Sequence, residues 1–308
     1  MTAFEGFEEH KVKVHSKVLN KDLEIFCRKK GNGEKAILLI HGYPQHSYIW
    51  YKLAPQLSEK YTVIASDIRG YGQSSKPPGS ASHEEYSKRE MASDQVQLMD
   101  YFGISQFYII AHDRGARVAH RLALDYPEKV KGLMTLDIAP TLWMYDNTNM
   151  AFAKGYWHWF YLIQESPGPE NMILAGPEQY WQALAGRPSH KGMTWPEEAL
   201  KEYKDKIFNP EGVHATCEDY RAAASIDLVH DSESLKNGQK LTIPKLVVLW
   251  GKKGMIQNFN GGDIEGLWKD WIDPSKVKIK GKGVDGGHYI PEERWQDVLE
   301  ESKWLLED

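Results

Sequence analysis

The sequence predicts an α/β protein: a mostly parallel sheet flanked by helices, with a helical segment inserted late in the chain. Three observations carry this reading. Short, continuous apolar runs rich in β-branched residues recur before residue 140 and again after residue 240, and runs of that kind suit strands buried on both faces. Stretches of helical periodicity separate them, as parallel crossovers require. Residues 141–240, by contrast, are rich in Trp, Tyr, Met and Pro and carry no such run.

Taken in order, "HKVKVHS" (10–16) and "DLEIFCRK" (22–29) alternate in polarity and predict a half-exposed edge. The runs "AILLI" (36–40), "YTVIASD" (61–67), "FYIIA" (107–111) and "VKGLMTLD" (130–137) predict central parallel strands. Between the second and third of these, "KREMASDQVQLMDYFG" (88–103) sets Met91, Val96, Leu98, Met99 and Phe102 on one approximate helical face, with Gly103 placed to end the helix. After residue 240, "IPKLVVLWG" (243–251) and "KVKIKG" (276–281) bring the sheet to eight strands, and a last amphipathic helix lies within 291–308. The expected organisation is a core of residues 1–140 and 241–308 with a helical cap of 141–240.

Composition excludes several classes of function. With 41% hydrophobic residues, 26% charged residues and a formal charge of -5, the 308-residue chain offers no basic footprint for nucleic acid. No apolar run approaches the roughly 20 residues that cross a bilayer, and "MTAFEGFEEHKVK" lacks the features of a signal peptide. A cytoplasmic protein without membrane contact is expected. Cys27 and Cys217 lie far apart and match no metal-ligand spacing, and "GKKGMIQNFNGG" lacks the spacing of a phosphate loop. No metal and no cofactor are expected.

Ligands of parallel sheets bind beyond the carboxyl ends of the strands, so the post-strand loops "HGYPQ" (41–45), "HDRGA" (112–116), "DIAPT" (137–141) and "GGHYI" (286–290) hold the candidates. In the second, Ala111-His112-Asp113-Arg114-Gly115 fits the pattern small-x-nucleophile-x-small, which a strained strand-to-helix turn demands. Together the loops resemble the α/β-hydrolase family, whose chain order of nucleophile, acid and histidine is met by Asp113, Asp137 and His288. A carboxylate nucleophile points to a particular chemistry. It is already ionised at neutral pH, and displacement at a saturated carbon gives an ester that water can cleave, where serine would leave a stable ether. His288 would activate that water, Asp137 would orient the histidine, and the backbone N–H groups of Tyr43 and Arg114 would form the oxyanion hole. Asp137 is chosen because "GKKGMIQNF" holds no carboxylate before Asp263 and because Asp285 is too local to His288 to orient it from below.

Arg114 and Arg117 stand in the first turn of the helix after the nucleophile, where positive charge opposes the helix dipole. Spaced i and i+3, they suit a carboxylate held in bidentate fashion. With "HGYPQ", "RGYGQSSKP", "HDRGAR", "LDIAPT", "YWHWF", "DYRA" and "GGH", the chain resembles the haloacetate dehalogenases within that family. The resemblance implies hydrolysis of a short 2-halo carboxylate such as fluoroacetate or chloroacetate, with water as co-substrate. It also implies that His158, Trp159 and Tyr220 hold the departing halide through neutral N–H and O–H donors, and that relatives pair as homodimers through the cap. Other readings stay open. Asp113 could cap a helix, and Trp159 could simply pack. Tyr156, Tyr161, Tyr180 or Tyr203 could protonate an opening epoxide, and a ligand-binding protein could keep the fold without turnover.

Overall fold

The computed structural model describes residues 3–185 and 193–307. Eight strands form one sheet: β1 (Glu8–Ser16), β2 (Lys21–Lys30), β3 (Ala36–Ile40), β4 (Thr62–Ser66), β5 (Phe107–His112), β6 (Val130–Leu136), β7 (Lys245–Gly251) and β8 (Lys278–Val284). Their spatial order is β1-β2-β4-β3-β5-β6-β7-β8. The pairs β1–β2 and β2–β4 are antiparallel, and every later pairing is parallel. The apolar runs explain this placement. Every residue of β3 and of β5 is buried, whereas β1 alternates exposed and buried residues along its carboxyl half, as an edge half in water must.

Helices cover both faces. Lys88–Tyr101 starts at a Ser87 cap that accepts from the Glu90 N–H and stops before Gly103, whose φ of +70° an L side chain would resist. Its Met91, Val96, Leu98 and Met99 are buried, while Phe102 is only partly so. Among the described residues, the stretch between β6 and β7 holds eight α-helices, from Thr141–Asp146 to Ile226–Lys236, and no strand. Segment 186–192 of the expected cap lies outside the described residues.

Strand ends shift by a residue or more at several places, and at β7 and β8 the shift has a local cause. β7 begins at Lys245, not at 243, because Pro244 lacks the N–H that a ladder needs. β8 runs Lys278–Val284, several residues beyond the expected 276–281. Gly281 and Gly283 weaken the strand signal in the sequence, yet contacts require them. A Cβ at Gly281 would stand 2.8 Å from Glu265 Oε2, and one at Gly283 would stand 3.0 Å from Trp250 Nε1. Both cysteines are buried and free. Among the described residues no helix is long and apolar enough to cross a membrane.

Candidate active site

The carboxyl ends of β3, β5, β6 and β8 converge on one buried cluster. Asp113 follows β5 directly and opens the helix Asp113–Asp125. Its φ of +47° is the sharp turn that the small flanking residues allow. Crowding explains those small residues: a Cβ at Gly115 would lie 2.0 Å from the His41 carbonyl oxygen. Asp137 sits just past β6, also at positive φ, with its N–H donating to the Leu249 carbonyl at 2.8 Å.

These two turns and the loop after β8 assemble a chain of hydrogen bonds. His288 Nδ1 donates to Asp137 Oδ2 at 2.6 Å, and Asp137 Oδ1 accepts from the Gly251 N–H at 2.9 Å. Across the ring, His288 Nε2 faces Asp113 Oδ2 at 3.8 Å. The other Asp113 carboxylate oxygen, Oδ1, accepts from the Tyr43 N–H at 2.9 Å. Each carboxylate oxygen of Asp113 therefore has a distinct neighbour: a backbone donor on one side and the histidine on the other. Asp285, the rejected acid, is exposed and pairs with Lys253. Asp263 is turned to the Gly266 N–H.

Neighbouring histidines hold the loops in place. His112 Nε2 donates to the His288 carbonyl oxygen at 2.8 Å, fixing the loop rather than the ring. His41 Nε2 accepts from the Ile68 N–H at 3.0 Å, which leaves Nδ1 to donate to the Gly42 carbonyl at 3.1 Å. Gly42 must be glycine, since a Cβ there would lie 2.6 Å from Asp113 Oδ1 and 2.8 Å from the Arg114 nitrogen. Gly42→Ala is expected to fold normally but to lose activity by about 100-fold or more, the scale for a reacting group displaced by an ångström. Circular dichroism and kcat/KM on the same sample check it.

Burial by itself would raise the Asp113 carboxyl, but His288 and the guanidinium groups of Arg117 and Arg114 outweigh it and hold the group below its ordinary value. Asp113 is thus ionised throughout the neutral range.

The two arginines depart from the expected clamp. Arg114 is fully buried and already spends its fork on Asp219: Nε donates to Oδ2 at 2.8 Å and Nη2 to Oδ1 at 2.7 Å, with a further bond to the Asp219 carbonyl. Only its Nη1 has no hydrogen-bond partner among the described residues. Arg117 reaches the Ala139 carbonyl, the Thr141 hydroxyl and Met144 sulfur through its terminal nitrogens, leaving Nε without one. The fork of Arg114 is therefore engaged by Asp219, and the donors without a partner among the described residues are the two N–H groups of Arg114 Nη1 and the single N–H of Arg117 Nε. Burial and then Arg114 lower Arg117, and Asp113 opposes them.

Asp219 was passed over in "DYRA" because its partners lie far off in sequence. It also accepts from Tyr71 at 2.6 Å and from Lys88 Nζ. Burial would raise its carboxyl, but Arg114 and Lys88 hold it well below the usual range. This cap residue orients Arg114.

His158, Trp159 and Tyr220 form one aromatic group over the site. His158 stacks on Tyr43 at 6.0 Å and meets Tyr220 edge-on at 5.8 Å. Trp159 lies 6.2 Å from Tyr220 and carries the Arg117 guanidinium on its face at 4.8 Å, while Arg114 sits over Tyr220 at 4.2 Å. The Trp159 Nε1–H is buried and has no hydrogen-bond partner among the described residues, so Trp159 packs and also keeps a donor to spare. Of the four cap tyrosines, Tyr203 is corrected: its hydroxyl donates to Glu292 at 2.7 Å. Tyr161 donates to the Pro169 carbonyl, and Tyr180 pairs with the Tyr43 hydroxyl at 2.7 Å. A cavity of about 920 Å³ opens elsewhere, lined by Tyr48, Lys52, Pro196 and Trp295, with no residue of this cluster in its wall. Among the described residues no group of three or more His, Cys, Asp or Glu could hold a metal ion.

Comparison with known proteins finds similar chains over nearly the whole length. The sequence profile described as alpha/beta hydrolase fold matches residues 35–294. The chain is 37% identical to a fluoroacetate dehalogenase from Burkholderia sp over 306 residues, covering 99% of this chain and 95% of the relative. It is 30% identical to a soluble epoxide hydrolase from Corynebacterium sp. (strain C12), covering 86% and 87%. A solved structure from Nostoc sp PCC 7120, described as an alpha/beta hydrolase, superposes with a TM-score of 0.88 at 43% identity, covering 98% and 99%.

Proposed function

The chain belongs to the alpha/beta hydrolase family, and on that premise we propose that it hydrolyses the carbon–halogen bond of a short 2-halo carboxylate, fluoroacetate or chloroacetate, to the 2-hydroxy acid and halide. The observation that carries this reading is a set of buried N–H donors with no hydrogen-bond partner among the described residues, Arg114 Nη1, Arg117 Nε and Trp159 Nε1, the two guanidinium groups being ones that hold the Asp113 carboxyl down. Buried donors are satisfied in native proteins, so a small anion with a second acceptor group is the fitting occupant. Asp113, Arg114, Arg117, Trp159 and Tyr220 are all nearly fully buried, which supports a substrate held away from bulk water.

The distances support the following steps. Asp113 Oδ2 attacks the carbon that bears the halogen. An O–C bond forms as the halide leaves with the bonding pair toward His158, Trp159 and Tyr220, while the arginine N–H groups hold the substrate carboxylate. Oδ1, now the ester carbonyl oxygen, stays on the Tyr43 N–H. Water then gives a proton to His288 Nε2 and attacks the Asp113 carbonyl carbon, and Asp137 stabilises the imidazolium. The tetrahedral intermediate collapses, the 2-hydroxy acid leaves with oxygen Oδ2 and the proton from His288, and Asp113 is left as a carboxylic acid containing one oxygen from water, whose remaining proton passes through His288 to solvent to restore the carboxylate.

Halide release from fluoroacetate and chloroacetate, set beside diol formation from a styrene-type epoxide, tests the reading. The epoxide reading has its own support in the Corynebacterium relative and in the buried Tyr180–Tyr43 hydroxyl pair. Two arginines with spare donors favour the anionic substrate. Arg114→Ala is expected to raise KM for haloacetate at least about tenfold, the worth of a charged hydrogen bond. It also lowers stability by about 3 kcal/mol, because buried Asp219 loses a counter-charge. Urea midpoints measured with the kinetics separate the two effects; an unchanged KM removes Arg114 from substrate binding.

A further inference from the structure

Away from the reacting atoms, one buried carboxylate joins three parts of the chain. Glu292 lies four residues beyond His288 in the short helix Ile290–Glu293 and is 2% exposed. Its Oε1 accepts from the Tyr203 hydroxyl at 2.7 Å, on the cap helix Glu197–Ile207. Its Oε2 accepts from Trp195 Nε1 at 2.8 Å and from Gln45 Nε2 at 2.7 Å. Gln45 closes the turn that carries Tyr43, its N–H donating to the Gly42 carbonyl at 2.9 Å. The side-chain amide of Gln45 has no other anchor, for its buried Oε1 lacks a hydrogen-bond partner among the described residues.

We propose that Glu292 is a positioning residue that seats the cap over the catalytic centre and, through Gln45, aims the Tyr43 N–H at the oxygen that becomes negative during ester hydrolysis. Three neutral donors converge on its two oxygens, an arrangement only a carboxylate can accept in full. A glutamine there, of nearly the same shape, offers one acceptor and turns two N–H groups toward donors. The charges around it fit this role. Lys52 donates to the backbone carbonyl of Glu292, not to its carboxylate, and Glu293 is turned to the Gly287 and Tyr289 N–H groups. The facing hydroxyls of Tyr203 and Tyr51 are kept protonated by burial. Burial likewise pushes the Glu292 carboxyl up to about 7, so the acceptor set is complete above that pH and weakens below it.

The experiment pairs hydrogen exchange of the resting protein with transient kinetics of Glu292→Gln. Exchange needs no substrate. It is expected to rise about tenfold or more in two peptides at once, the turn around Tyr43 and Gln45 and the helix Glu197–Ile207, with β5 unchanged. No change at the turn, or an equal rise across the sheet, overturns the proposal. The kinetic arm rests on the haloacetate reading: the variant should release one equivalent of halide in a burst and then turn over about tenfold more slowly, with KM little altered. A slow phase without a burst overturns the role in ester hydrolysis while dehalogenation stands. If the unmodified protein releases no halide, the dehalogenase reading fails and the exchange result alone decides Glu292. Should Glu292→Gln fail to fold, Tyr203→Phe and Gln45→Met each remove one donor and are read by the same two measurements, with the same outcomes deciding.

Discussion

On the dehalogenase reading, Asp113→Ala is expected to eliminate halide release, with kcat/KM down by about 10⁴-fold or more, the scale seen when a nucleophile that forms a covalent intermediate is lost. The structure leaves no understudy. Asp137, the other carboxylate of the triad, is committed to His288 and to the Gly251 N–H, and Asp219 is tied to Arg114, Lys88 and Tyr71. Neither can swing to the substrate without leaving a buried donor unpaired. Alanine at this position keeps the backbone course, since Arg114 remains anchored by Asp219, but Arg117 loses its facing charge. A stability loss of about 1–3 kcal/mol is therefore expected alongside, read from the urea midpoint. A folded variant with more than a hundredth of the original rate would mean that water attacks the substrate directly and that Asp113 serves only as a base or a helix cap.

His288→Asn separates the two chemical steps. Displacement by Asp113 requires no proton transfer, because the carboxylate is held ionised by its surroundings. Ester hydrolysis does require one, and the loss of a general base costs about 10²–10⁴-fold. The variant is expected to release one equivalent of halide and then stall, with the Asp113 peptide heavier by the organic acid group. Substitution should leave the loop in place, since His112 holds the carbonyl of residue 288 and not its ring. Steady turnover without an adduct would assign the histidine another task.

The sheet could be read from sequence because strands buried on both faces must be continuously apolar, and β3 and β5 are. The core of the site could be read because each element brings its own side chain to the same end of that sheet: Asp113 after β5, Asp137 after β6, His288 after β8. Local spacing sufficed for those. It could not reveal Asp219 or Glu292, whose roles arise from pairings 105 residues away to Arg114 and 247 residues away to Gln45. Two arginines at i and i+3 look free in a sequence, and only the fold shows that Asp219 has taken the fork of one. β8 was misplaced for a converse reason: its glycines answer to Glu265 and Trp250 on neighbouring segments, not to strand propensity.

One measurement bears most directly on the covalent mechanism. In a single turnover carried out in heavy-oxygen water with enzyme in excess over haloacetate, label should appear in the Asp113 side chain, and the hydroxyl of the released acid should be unlabelled. Label in the product hydroxyl and none in Asp113 would contradict it.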